Sequence, residues 1–195
     1  MNKKEEILKI ASKEFAKYGY KGVSLENIAK KAGISKAAIY YHFKNKAELF
    51  EAVLTPKLEK LINEVYSCNT NPKEDLKCYI CAFSKTFKKY PCFASLIAHE
   101  FVDGGRDLNE EIIKKLSKIF KKLISILKEG EKKEFFKIDN PFSVQLMIVS
   151  TLIMHQTTKD LRKRISKYIE IEINPDIKDI AKAVYEKISK AILKE

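Results

Sequence analysis

The chain has 195 residues, of which 45% are hydrophobic and 10% aromatic, so it can form one large domain or two small ones. No apolar run reaches the length of a membrane span, and residues 2–6 lead into an amphipathic helix rather than a signal peptide. These features argue against a membrane protein and a secreted protein. We therefore expect a cytoplasmic protein with no membrane partner.

The formal net charge of +12 is unevenly distributed along the chain. Residues 1–46 contain eleven Lys and four Glu, a net charge of +7, which leaves only +5 for the other 149 residues. Basic charge that is concentrated in a quarter of a chain is typical of a surface that binds a polyanion.

Hydrophobic periodicity predicts an all-α fold, since no window alternates with the two-residue period of a strand. Asn-Pro pairs at 71–72, 140–141 and 174–175 each offer an Asn N-cap with proline at the first helical position. Asp107 and Glu110 resemble a capping box that would begin a further helix. Nine helices are predicted in chain order, near residues 3–18, 25–32, 36–43, 46–66, 72–89, 92–102, 108–129, 141–165 and 175–193.

The second and third predicted helices are short and are joined by a tight turn. Ser24 and Ser35 can cap them by accepting a backbone N–H bond, and Gly33 permits the left-handed backbone that ends the first. In the third helix, Ile39 and Phe43 fall on the side that faces a core. The opposite side carries Lys, Tyr and His, with a small Ala near its start, and such a surface suits the major groove of duplex DNA.

Eight residues in this region are predicted to contact DNA. Those on the exposed side of the third helix are divided between base edges and phosphates, and the start of the fourth helix lies beside them. The expected contacts are to base edges for Lys36, Ala37 and Tyr41, to phosphates for Tyr40, His42 and Lys46, and to DNA without an assigned group for Ser24 and Ser35.

Roughly the first 55 residues resemble the DNA-binding region of TetR-type transcriptional repressors. The resemblance rests on segments 28–35 and 39–49, which read Ile-Ala-Lys-Lys-Ala-Gly-Ile-Ser and Ile-Tyr-Tyr-His-Phe-Lys-Asn-Lys-Ala-Glu-Leu, and on the helix before them. Ala37 stands where the family often has Gly, and His42 where it often has Tyr. The resemblance implies a repressor that binds a palindromic operator in double-stranded DNA and leaves it when a small-molecule effector binds.

The resemblance also suggests how the chain is divided. We predict a three-helix helix-turn-helix DNA-binding domain in residues 1–46. Residues 47–195 are predicted to form a C-terminal helical bundle for ligand binding and dimerisation. The fourth helix begins beside the third and ends in the C-terminal core, and the resemblance implies that it couples the two domains.

The predicted eighth helix is apolar nearly all round in its first half. Such a helix is either central to a core or shared with a partner. The resemblance favours a homodimer through the eighth and ninth helices, and so does DNA geometry, because two recognition helices on one face of B-DNA sit about 34–36 Å apart. Leu152 is an expected interface position. The alternative is a fully internal helix in a monomer.

The resemblance implies a small-molecule pocket in the C-terminal bundle. Aromatic and Met side chains on the fifth to eighth helices favour an apolar or aromatic ligand, and the scarcity of Arg there disfavours a strongly anionic one. Three alternatives are open: the rings fill the space, each histidine is an ordinary core or surface residue, or the two histidines bind a metal together with Glu100 and Asp103. His99 and Asp103 are one turn apart. The expected pocket lining is Phe83, Phe87, Leu96, His99, Glu100, Phe120, Met147, Thr151 and His155.

Four cysteines, Cys68, Cys78, Cys81 and Cys92, lie within 25 residues. We expect mostly buried thiols, because the chain is not a small secreted domain that needs a disulfide framework. No Ser-His-Asp set, phosphate-binding glycine loop or catalytic carboxylate pair can be placed, so we expect neither an enzyme nor a cofactor or metal. Two alternatives to the repressor remain: an architectural DNA-binding protein without an effector, and a metal or redox sensor built on Cys78 and Cys81.

Overall fold

The computed structural model describes residues 2–67, 69–137, 140–169 and 173–193. Within these ranges the fold is all-α, as predicted, and the one extended pairing is an isolated bridge between Phe136 and Leu193. There are ten helices where nine were predicted: α1 (Lys3–Tyr18), α2 (Leu25–Lys31), α3 (Lys36–His42), α4 (Lys46–Tyr66), α5 (Pro72–Lys89), α6 (Pro91–Val102), α7 (Glu110–Lys132), α8 (Pro141–Thr157), α9 (Lys159–Ile165) and α10 (Ile177–Ile192).

Aromatic contacts join α1 and the residue Tyr20 just after it to α4. The ring of Phe15 on α1 is fully buried and meets the ring of Phe50 on α4 edge to face, with 4.9 Å between centroids. Tyr20, just after α1, stacks on Phe15 at 6.0 Å and tilts against Phe50 at 5.0 Å. Aromatic pairs of this kind add roughly 0.5–1.5 kcal/mol each beyond burial. The α1–α3 unit is therefore packed firmly onto the first half of α4.

The C-terminal bundle is organised around α5, which packs against α4, α6, α7, α8 and α10. Its buried face includes Leu76, Tyr79, Ile80, Phe83 and Phe87. α1 also packs against α6, so the N-terminal unit contacts the bundle through two helices, α4 and α6. Those two contacts place α1, α2 and α3 relative to the rest of the molecule.

The predicted eighth helix, 141–165, is wrong in length, because it breaks at Thr158 into α8 and α9. The Thr158 hydroxyl donates to the Met154 carbonyl at 2.6 Å, and the Arg162 side chain donates to the carbonyls of His155 and Ile173. These bonds hold the chain in a bend. Arg162 contacts Ile173, eleven residues away, and hydrophobic periodicity along a helix cannot reveal such a contact.

Two predicted helix starts also differ. The side chain of Asn109, rather than Asp107, caps α7 by accepting the Ile112 N–H at 3.0 Å. Asp176, rather than Asn174, caps α10 and accepts the Lys178 N–H at 2.9 Å. In both places several capping residue types are adjacent, and the approach of the preceding loop decides which one is used.

The cysteines are not all thiols. Cys78 is disulfide-bonded, so the prediction of a thiol is wrong at that position. Cys81 and Cys92 are free and half-buried. Cys68 lies outside the described residues.

Candidate DNA-binding surface and effector cavity

The turn between α2 and α3 forms from the residues that the sequence marked for it. The Ser24 hydroxyl accepts the Asn27 N–H at 3.2 Å, and the Ser35 hydroxyl accepts the Ala38 N–H at 3.2 Å. Gly33 has φ of +61°, in the left-handed region that side chains with a Cβ disfavour. Both serines therefore have a structural role as caps, whether or not they also touch DNA.

The outer side of α3 is exposed and polar. Ile39 and Phe43 are buried beneath it, which orients the helix. Tyr41 is 85% exposed and so stands out from the surface. The structure places together on this side the five residues predicted on α3, of which four are exposed and one is half-buried: Lys36, Ala37, Tyr40, Tyr41 and His42.

Lys36 makes local contacts on this surface. Its ammonium pairs with the Glu26 carboxylate on α2 and lies 5.9 Å from the centroid of the Tyr40 ring. The hydrogen bond from Lys36 lowers the pKa of Glu26, so the carboxylate stays ionised. Exposed ion pairs of this type contribute little to stability, because water and salt screen both charges. A base edge can therefore replace Glu26 at low cost.

The Lys46 side chain makes different bonds from those of the other residues predicted to contact DNA. Its half-buried ammonium donates to the carbonyls of Tyr20 and Val23, at 3.1 and 3.2 Å, and lies 4.1 Å from the centre of the Tyr20 ring. These bonds connect the start of α4 to the loop between α1 and α2. A phosphate contact from Lys46 remains a prediction, and its structural role is a feature that the sequence did not reveal.

The end of α6 meets the end of α1. The His99 ring lies against Gly19, where a Cβ atom would stand 3.4 Å from Nδ1, and Gly19 itself has φ of +69°. Lys21 forms an ion pair with Asp103 at 2.7 Å. His99 thus sits at the contact between the two parts of the chain.

Glu100 is buried at the same contact, and its Oε2 has no hydrogen-bond partner among the described residues. Burial raises its pKa to about 7, and the charges of Asp107 and Asp103 add to the effect, while Lys21 opposes it. The carboxyl group therefore changes its charge near neutral pH.

The bundle contains an apolar cavity of about 290 Å³. α4, α5, α6, α7 and α8 all contribute to its walls. Phe93, Ile97 and Phe101 line it from α6 at a four-residue spacing, which is the one sequence signal that could have identified them. The full lining is Leu58, Leu61, Phe83, Phe87, Phe93, Ile97, Phe101, Leu116, Ser117, Ile119, Phe120, Phe142, Gln145, Val149 and Ile153.

Three of the nine predicted lining residues, Phe83, Phe87 and Phe120, line this cavity. Leu96 and Glu100 are buried but do not line it, and Met147 and Thr151 are exposed on α8. His99 packs on Gly19, as described above. His155 lines a separate polar pocket beside Arg162 and Asp176, where desolvation and the Arg162 charge lower its pKa. The helical rotation of α6 and α8, which periodicity alone does not give, separates these six from the cavity.

A buried hydrogen bond orients the one amide in the cavity wall. The fully buried Tyr79 hydroxyl donates to Gln145 Oε1 at 2.8 Å and lies 3.3 Å from the Ile119 carbonyl. Burial raises the pKa of Tyr79, so the hydroxyl stays protonated and remains a donor. Gln145 was not predicted from the sequence.

α8 exposes apolar side chains along one side. Val144, Ile148 and Leu152 face the core, and Leu152 is fully buried within one chain, so its predicted place in a dimer interface is wrong. The exposed side carries Phe142, Leu146, Met147 and Met154, which are 57%, 54%, 44% and 62% exposed. α10 exposes charged residues instead, including Lys178, Lys182, Glu186 and Lys190.

Within the described ranges, no three His, Cys, Asp or Glu side chains converge in a way that could hold a metal ion. No helix in those ranges is long and apolar enough to cross a membrane.

Comparisons with known proteins agree with this geometry. A family model for bacterial regulatory proteins of the tetR family matches residues 7–53. YhgD of Bacillus subtilis (strain 168), described as an uncharacterized HTH-type transcriptional regulator, is 39% identical over 61 residues, which is 31% of this chain and 32% of YhgD. The HTH-type transcriptional regulator RutR of Escherichia coli (strain K12) is 31% identical over 112 residues, 56% of this chain and 53% of RutR.

The chain thus spans about a third of YhgD and about half of RutR. Over the whole chain the likeness is one of fold. The structure of the ketosteroid transcriptional regulator KstR2 of Mycobacterium tuberculosis matches with a TM-score of 0.77 and 18% identity, covering 100% of this chain and 96% of that one. All three relatives are described as transcriptional regulators.

Proposed function

Because the chain belongs to the TetR family and is a DNA-binding transcriptional regulator, we propose that it acts as a dimeric repressor released from its operator by a mostly apolar small molecule. DNA binding is assigned to residues 1–46. Ligand binding and dimerisation are assigned to the remainder of the chain. The observation that carries the proposal is the position of the cavity, whose walls include both helices that hold the N-terminal unit.

The proposed DNA surface is the outer side of α3 and the basic residues around it. Exposed Lys36, Ala37 and Tyr41 would face base edges, and Tyr40 and His42 the phosphates. The +7 charge of residues 1–46 supports phosphate binding. One recognition helix of seven residues covers one half-site, so a palindromic operator requires a second copy.

The proposed dimer forms through the exposed apolar side of α8. Exposed Met147 and Met154 lie on one side of a helix whose other side is in the core, and water-exposed apolar patches mark interaction sites. Exposed Leu161 and Ile165 on α9 extend the patch. The charged outer face of α10 argues for a smaller contribution from that helix than the sequence suggested.

The proposed release works through α4 and α6. Leu58 and Leu61 of α4, and Phe93 and Ile97 of α6, line the cavity, while the other parts of both helices contact the α1–α3 unit. A ligand that fits one arrangement of these helices better than another shifts the spacing of the two α3 helices by its differential affinity. A coupling free energy of about 1–3 kcal/mol would reduce DNA affinity roughly 5–150-fold.

The test begins with selection of bound sequences from random duplexes, which supplies an operator. The purified protein is then titrated with that operator in the presence and absence of small-molecule extracts. A fraction that releases the DNA is purified, and its affinity for the free and DNA-bound protein is measured. Thermodynamic linkage requires that the operator weaken ligand binding by the same factor by which the ligand weakens operator binding. Operator binding that no fraction changes would favour an architectural role.

A further inference from the structure

A second apolar cavity adjoins the first and reaches the surface. It measures about 470 Å³, lies between α7 and α8, and shares Phe101, Leu116, Phe142, Gln145 and Val149 with the first cavity. Phe101 and Phe142 are more than half exposed in the single chain, so the second cavity opens at the surface beside the proposed dimer contact of α8. The two cavities adjoin, and together they form an apolar space between the centre of the bundle and the surface.

Among the residues that the structure describes, no charged side chain lines either cavity. An ionised carboxylate or ammonium group that enters an apolar site without a partner loses its hydration, and the cost is several kcal/mol or more. The part of a ligand that lies inside must therefore be neutral.

Gln145 is the amide that reaches both cavities. Its Oε1 accepts the hydrogen bond from Tyr79, a hydroxyl that burial keeps protonated. A primary amide has one oxygen acceptor and two N–H donors. With the oxygen held toward Tyr79, the group that remains for a ligand is the Nε2 donor. A matching ligand carries a hydrogen-bond acceptor at this point.

We propose that the effector is an uncharged molecule with a hydrocarbon body and a carbonyl group, of the ester or ketone class, whose carbonyl oxygen accepts a hydrogen bond from Gln145 Nε2. This inference rests on the proposed function, because it takes the cavity as the effector site. It narrows the effector from apolar molecules in general to neutral carbonyl compounds, and it excludes a free carboxylate at Gln145.

The experiment measures binding of two probes, methyl decanoate and decanoate, to the full chain by equilibrium dialysis. We expect the ester to bind at least about tenfold more tightly than the carboxylate, because the carboxylate has no cation in the cavity wall. The Gln145→Leu variant should lose about two- to tenfold in ester affinity, which is the usual effect of one hydrogen bond. Gln145→Glu, of the same shape but without N–H donors when ionised, should lose at least as much.

Gln156→Leu is the matched control, since Gln156 lies on the same helix but lines the separate polar pocket, and it should bind the ester like the wild-type chain. Equal or tighter binding of decanoate, failure of both probes to bind, or unchanged ester affinity in folded Gln145→Leu and Gln145→Glu would each overturn the proposal. Operator affinity is measured in parallel. Ester binding that depends on Gln145 but leaves operator affinity unchanged would refute the proposed release and leave this inference standing.

Discussion

At the scale of single residues, Glu100 is a buried carboxyl group placed between α6 and the end of α1. Its pKa is raised to about 7 from an ordinary 4.5, first by burial and then by Asp107 and Asp103. The folded chain therefore holds this proton more tightly than the unfolded chain. Stability is fully present below about pH 4.5 and falls as the pH rises through 7, by up to about 3 kcal/mol.

The Glu100→Gln variant should remove the decrease in stability that accompanies the rise in pH. We expect it to be more stable than the wild-type chain at pH 8 and nearly equal to it at pH 5, in urea unfolding followed by circular dichroism. Glu186→Gln, at an exposed position of α10, serves as the control and should change neither value. A variant whose stability falls with pH as steeply as that of the wild type would assign the titration to another group.

Lys36 and Lys46 are two lysines with different predicted roles. Lys36→Ala should cost about 1–3 kcal/mol in operator affinity and relax the preference at one base position. Lys46→Ala should weaken binding to all sequences alike, and it should also lower the melting temperature, because the Tyr20 and Val23 carbonyls lose their donor.

These effects can be read from binding to a panel of operator variants and from thermal unfolding. Lys44 is a neighbouring exposed lysine, and Lys44→Ala is the control that separates the loss of a positive charge from the loss of structural hydrogen bonds. It should weaken binding without a change in melting temperature. Equal loss at every base position in Lys36→Ala would assign Lys36 to the phosphates.

At the scale of elements, the exposed side of α8 is the proposed dimer contact. Met154→Glu would place an unpaired charge in the proposed interface, and we expect the dissociation constant of the dimer to rise at least about tenfold. Sedimentation velocity measures this, and operator affinity should fall with it. Met154 lines neither cavity, so ligand binding should persist. Lys182→Glu, on the charged face of α10, should leave the dimer intact, and a wild-type chain that sediments as a stable monomer at micromolar concentration would contradict the proposal.

At the scale of the whole molecule, the uneven charge predicts a strong salt dependence. If a dimer neutralises about six to ten phosphates, log K should fall against log salt with a slope near −5 to −9. Fluorescence anisotropy of a labelled operator across a salt series measures the slope. An affinity independent of salt would contradict the electrostatic account.

The sequence by itself determined the features that depend on neighbours within one or two helical turns. The caps at Ser24 and Ser35, the left-handed Gly33 and the burial of Ile39 and Phe43 were all predicted, because each is a local property of the backbone or of a four-residue spacing. The family pattern of the first 55 or so residues is carried by the same short-range signals. Helix existence followed likewise, and only helix ends and the break at Thr158 differed.

Tertiary structure alone decided which sides of the helices meet. The Tyr79 hydroxyl hydrogen-bonds to Gln145, 66 residues away in the sequence, and Lys21 hydrogen-bonds to Asp103, 82 residues away. Neither pair shares a spacing that periodicity can detect, because the rotation of one helix against another is set by packing of the whole core. That is why Leu152, expected in an interface, lies in the core. The same rotation gave the cavity its walls and its one oriented amide.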